Sequence, residues 1–342
     1  MGARYLNFLD AYLKPRIDAV EGVTSDEIEI ANTVFQGTVL GPPLWNVFFS
    51  DVTQPAASTG GNPSLFADDL SVFQKFDRFV ENSEITRKMH VCRTKVHAWG
   101  RVNRVAFDPS KEHVVILHPI RGEGDSFKLL GCLVDCKLVM DQAIEKILAQ
   151  VRPKRQAILR TKPHYCVRDL ITQFKTHVWG LMEYHSGAIF HASDTLLERF
   201  DSAQRGFLQE IDVTPEAAFI EHNFAPPRLR RNIGMLGFLH KRVLGLSHPA
   251  IQRLLPFHAD VFGSLRTGEH NKQLYDHILD VQQQQSLHRR SVFGMVHIYN
   301  RLPQHVVNLT TIPLFQKHLT LEARKLCKDG NPSWIDSFSC RL

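Results

Sequence analysis

The sequence predicts an α+β chain, with strands confined to about the first 140 residues and helices filling the rest. Three observations predict it. Between Ser64 and Met140, short β-rich apolar runs alternate with turn residues and one amphipathic stretch. Beyond Asp141, apolar residues recur at steps of three and four. At 342 residues, 43% hydrophobic and 22% charged, the chain has room for more than one ordinary globular unit.

The first strand signal is SLFADDLSVF, 64–73, which sets Asp68 beside Asp69 inside an apolar run. Two ionised carboxylates in a dry site would need neutralising. Either the pair forms a hairpin turn in water, where Asp is favoured, or the hairpin tip binds a divalent cation. From Ser83, a plausible N-cap, SEITRKMHVCRTKVHAWGRV reads as an amphipathic helix. Its apolar stripe is Ile85, Met89, Cys92, Val96 and Trp99. A polar turn, DPSKE, precedes a short β-rich run, HVVIL, 113–117. FKLLGCLVDCKLVM, 127–140, reads as two strands around a turn near Asp135–Lys137.

In the helical part, DQAIEKILAQV is amphipathic up to Pro153, which is expected to end or kink the helix. The segment 193–211 carries Leu196, Leu197, Phe200, Ala203, Phe207 and Leu208 on one face. The segment 226–244 opens with proline at a first-turn position and is rich in arginine. QQQQ, 282–285, is a local polar stretch.

Charge is uneven along the chain. Residues 1–150 hold 16 Lys/Arg against 19 Asp/Glu, whereas residues 151–342 hold 25 against 16. A basic second part fits a polyanion partner, although solvated helix faces give the same total. Two runs concentrate the charge: Arg152, Lys154, Arg155, Arg160 and Lys162, then Arg228, Arg230, Arg231, Lys241 and Arg242. Contacts of this kind would be to nucleic-acid backbone phosphates. Six scattered cysteines without zinc spacing fit a reducing compartment. The first residues lack an apolar signal core. The uncharged run Ile30–Ser50 is broken by Gly37, Gly41, Pro42 and Pro43, so no membrane span is expected. The expectation is an intracellular chain of nucleus or cytoplasm, not secreted.

VFQGTVLGPPLWNVFFSD, 34–51, followed by FADD, with 32 positions from Gln36 to Asp68, resembles the reverse transcriptases of non-LTR (LINE-type) retrotransposons. The order continues with a helix, Lys111 before a β-rich run, and the Leu130–Gly131 hairpin. IYNRLPQHVVNLTTIPLFQKHL, 298–319, resembles a stretch that often follows such polymerases. The resemblance implies an incomplete right-hand palm within residues 1–140, a helical thumb at 141–215 and a helical C-terminal region at 216–342.

It implies an RNA-directed DNA polymerase acting by two-metal nucleotidyl transfer on an RNA template and a DNA primer. Asp68 and Asp69 would hold Mg²⁺, or Mn²⁺. Gln36, Gly37, Phe66 and Ala67 would lie against template and incoming nucleotide. Lys111 would match a lysine proposed as general acid for pyrophosphate, whereas on the residues alone it reads first as an exposed loop lysine. In the family another metal-binding Asp comes from a strand ahead of the helix that residues 6–16 resemble. The expectation is therefore that this part and the fingers precede Met1 or belong to another chain. Catalysis by the chain alone is not expected, and a non-catalytic nucleic-acid-binding remnant is the alternative.

Overall fold

The computed structural model describes residues 3–13, 19–20, 23–24, 37–262, 269–277 and 286–341. Gln36 and the QQQQ stretch lie outside the described residues. Most of the chain is helical and its sheets are small and antiparallel, which agrees with α+β at that coarse level. No helix among the described residues is long and apolar enough to cross a membrane. The chain divides into two compact units near residue 125: Met1–Ile116 with Arg121–Gly124, and Leu117–Ile120 with Asp125–Leu342.

The first unit begins with α1 (Ala3–Leu13) and a pair of two-residue strands, β1 (Ala19–Val20) and β2 (Val23–Thr24). Then come α2 (Gly41–Phe49), α3 (Thr53–Ala57), the hairpin β3 (Asn62–Phe66) and β4 (Asp69–Phe73), and α4 (Asn82–Asn103). Pro42 and Pro43 fall in the first turn of α2, where a missing N–H removes no hydrogen bond. One small core unites them: Phe49, Val52 and Ala56 pack on Cys92 and Val96 of the α4 stripe. Leu65, Leu70 and Val72 of the hairpin and Trp99 close over it. The hairpin's sheet has two strands.

Two expectations fail in this unit. The cap of α4 is Glu81, not Ser83; the helix starts at Asn82, whose amide is drawn to the Arg121 carbonyl (3.1 Å) and the Glu123 carboxylate (2.7 Å). HVVIL forms no strand, only an isolated bridge between Ile116 and Glu123. Just before that run, Asp108 accepts from Ser110 N–H and Glu112 pairs with Arg93 and His97. Side-chain pairing thus fixes the start of the segment in place of a ladder.

The second unit opens with β5 (Phe127–Leu129) and β6 (Cys132–Val134). Their turn is Leu130–Gly131, with φ +46° and +89°, the double positive φ of a type I′ hairpin. The turn expected near Asp135–Lys137 forms, with Leu138 N–H donating to the Asp135 carbonyl at 3.1 Å, but it follows β6 and does not join the two strands. The Asp135 carboxylate accepts from the N–H groups of Lys137 (3.0 Å), Val139 (3.0 Å) and Met140 (2.7 Å), which leads into α5 (Asp141–Arg160). Pro153 neither ends nor splits α5. Pro153 is exposed, and so is Ala149, whose carbonyl the proline leaves without its intrahelical donor. The opposite face, Ala143, Ile144, Ile147, Leu148, Val151 and Ile158, is buried and holds the helix through.

Helices α6 (Val167–Phe174), α7 (Gly180–Glu183) and α8 (Ser186–Ile189) follow, with a π-turn, Lys175–Trp179, between the first two. Then come α9 (Asp194–Glu210), α10 (Pro215–His222), α11 (Pro227–Val243), α12 (Pro249–Leu254), α13 (His258–Phe262), α14 (Ser286–Arg289), α15 (Val292–Tyr299), α16 (Gln304–Val307) and α17 (Ile312–Lys328). Ser193 caps α9 by accepting from Leu196 N–H. The anticipated apolar face of α9 is in place: Leu197, Phe200, Phe207 and Leu208 are buried, with Leu196 and Ala203 partly so. One core gathers β6, α5 and α6 to α9; a second gathers α11 and α15 to α17 around Leu236, Tyr299 and Phe315.

Candidate functional site

The carboxylate pair sits at a two-residue hairpin turn. Phe66 pairs with Asp69, which leaves Ala67 and Asp68 as the loop. Ala67 has φ +53°, a left-handed conformation that strains a residue with a Cβ. The Trp45 indole N–H donates to the Ala67 carbonyl at 3.1 Å, and the Trp45 ring stacks on Phe49 at 5.1 Å. The tip is thus tied to the middle of α2. Phe66, Ala67, Asp68 and Asp69 are all exposed.

Gly37, with φ +80°, faces open space, so its backbone turn alone accounts for the glycine.

A cleft of about 550 Å³ opens between the turn and the segment after α4. Asp68 and Asp69 line it with Trp45, Arg93, Lys111 and Glu112. Its size is that of a small-ligand pocket. Lys111 is exposed and lies 3.9 Å from Asp108. Hydrogen bonds from the Ser110 hydroxyl and N–H hold the Asp108 carboxyl below the ordinary aspartate range. Arg93 and His97 stand 2.6 and 2.7 Å from Glu112. Two of the cleft's four carboxylates are therefore engaged with neighbouring cations.

The fit to a metal is partial. Carboxylate oxygens are the right hard donors for Mg²⁺ or Mn²⁺. Among the described residues, however, no group of three His, Cys, Asp or Glu converges to hold an ion. Asp68 and Asp69 make one cluster without an opposing ligand, and that donor set does not fit a two-metal centre.

Most members of the basic clusters are engaged by partners within the fold, although Arg152, Lys154, Arg160, Lys162 and Lys241 are exposed. Arg152 pairs with Glu145 at 3.1 Å, and Arg155 donates to the Ala203 carbonyl at 3.2 Å. Lys162 reaches Asp212 at 3.1 Å. Lys154 and Arg160 are exposed and make no ion pair among the described residues. In the second cluster Arg228 pairs with Asp336 at 2.7 Å, and Arg230 pairs with Glu183 while standing 3.6 Å over the Trp179 ring. Arg231 is buried against Asp201 at 2.8 Å, and Arg242 is buried on the Leu255 carbonyl at 2.8 Å. The phosphate role expected for Arg231 is corrected here: a guanidinium enclosed with its own carboxylate is not offered to solvent. Trp45, which the sequence reading did not single out, carried one signal, an indole in the same helical turn as the Gly41–Pro43 run. No protein-family model, no curated protein and no solved structure matches the chain.

Proposed function

We propose that this chain carries the carboxylate-turn part of a reverse transcriptase of the non-LTR type, binds nucleic acid, and does not extend a primer by itself. The observation that carries the proposal is the Asp68–Asp69 pair, exposed at a hairpin tip and opening into the Lys111 cleft. A two-strand turn is a rigid mount for a charged pair aimed at a ligand. The sequence order from Gly37 through the FADD turn to Lys111 supports the same reading. The excess of basic residues after position 150 supports a polyanion partner.

In-line nucleotidyl transfer needs carboxylates on both sides of a metal pair. Only one such cluster stands among the described residues, so no catalytic step is assigned to this chain.

The test is primer extension on an RNA template with Mg²⁺ or Mn²⁺, run beside a binding assay on the same primer–template. Binding without extension is expected. Extension that disappears in Asp68→Ala would overturn the non-catalytic part, and absence of binding at low salt would overturn the whole reading.

A further inference from the structure

A second cleft, of about 260 Å³, lies wholly within the second unit between α5, α7 and the β5–β6 turn. Lys146, Gln150, Tyr184 and His185 line it over a floor of Ile147 and Leu181. No carboxylate lines it, unlike the Lys111 cleft, the Arg228–Asp201 cavity or the groove at Glu183. The side chains of Lys146, Gln150 and Tyr184 make no hydrogen bond or ion pair among the described residues, and the His185 ring makes none either. Lys146 is close enough to His185 to lower its pKa alongside the larger effect of burial.

The row continues beyond the cleft. Lys146, Gln150 and Lys154 stand at successive i, i+4 steps on α5 and are all exposed. Eight residues of helix span about 12 Å. Across the cleft stand Gly180 and Tyr184, the first residue and the C-cap of the helix that directly follows the π-turn Lys175–Trp179; such turns recur at functional sites. Tyr184 is 76% exposed, its ring set at 79° to His185 and open to solvent. Gly180 has open space where a side chain would stand.

We infer that this groove binds a single-stranded stretch of nucleic acid, with phosphates along Lys146 and Lys154 and an unpaired base stacked on Tyr184. The inference deepens the reading that the chain binds nucleic acid. Cations without neighbouring carboxylates attract phosphate and repel no part of it. A solvent-facing aromatic beside them is the sequence-tolerant half of a single-strand site.

The experiment is fluorescence anisotropy of the full chain with a labelled oligo-uridine and with a labelled duplex. The variants are Lys146→Glu, Tyr184→Ser and Tyr184→Phe, with Lys328→Glu as an exposed control outside the groove. Tyr184→Ser should weaken oligo-uridine binding about tenfold or more, while Tyr184→Phe keeps it. Lys146→Glu should weaken it and lower the slope of log affinity against log salt by about 0.7. Unchanged thermal unfolding would confirm that these exposed substitutions leave the fold intact. Binding that persists in both groove variants, or a duplex bound as tightly and insensitive to Tyr184→Ser, overturns the groove assignment alone. No binding of either probe by the parent chain overturns it together with the nucleic-acid reading.

Discussion

Removing the Asp201 carboxylate should unfold the second unit far more readily than removing any of the exposed charges around it. Asp201 is 4% exposed and Arg231 7%. The two oxygens of Asp201 have separate tasks: one accepts from the Arg231 guanidinium at 2.8 Å, the other from the Arg228 backbone N–H at 2.8 Å, at the start of α11. Asp201→Ala would leave a buried cation unpaired and an amide without its acceptor. Breaking a buried pair by deleting one partner costs about 3–5 kcal/mol. For a unit of this size that corresponds to a fall in Tm of roughly 6–20 °C. Asp201→Asn keeps an acceptor for the amide and should lose less. Asp201→Leu combined with Arg231→Met removes both charges and should recover most of the loss, leaving about 1 kcal/mol for the orphaned amide. Urea unfolding at neutral pH, followed by circular dichroism, reads all three. Asp201→Ala within about 1 kcal/mol of the parent would refute the claim that Arg231 is held by this pair.

Ala67→Gly should stabilise the first unit by roughly 0.5 kcal/mol, because relief of the positive φ outweighs the added freedom of the unfolded chain; a lower urea midpoint would count against the turn geometry. Pro153→Ala should add about 2 kcal/mol to the second unit by restoring a donor for the Ala149 carbonyl in a helix that already runs through this position. Asp68→Ala and Asp69→Ala should each change stability by less than about 0.5 kcal/mol, since both side chains are exposed. Burial lowers the pKa of His240 and of His270, so the folded state keeps them neutral while the unfolded chain protonates them near pH 6.5. Their contribution is whole above that pH and falls as pH drops below it, so the urea midpoint should decline from about pH 7 to about pH 5, and less steeply in His240→Gln.

What was legible in the sequence was what neighbouring residues decide. The stripe of α4 and the face of α9 follow from a 3.6-residue period, and the FADD hairpin from a two-residue turn between apolar runs. What was not legible depended on partners distant in sequence. Pro153 reads as a helix end until six buried side chains on the far face of α5 outweigh one missing hydrogen bond. The basic clusters show the difference most plainly. Arg231 meets its carboxylate thirty residues upstream and Arg230 meets Glu183 forty-seven upstream, so a run of arginines that looks like a phosphate surface is mostly paired within the fold. Net charge counts these guanidiniums and the free ammonium groups alike. Only the fold separates them, and it leaves Lys146 and Lys154 of α5 uncommitted, eight residues apart, although only Lys154 belongs to a basic run in the sequence.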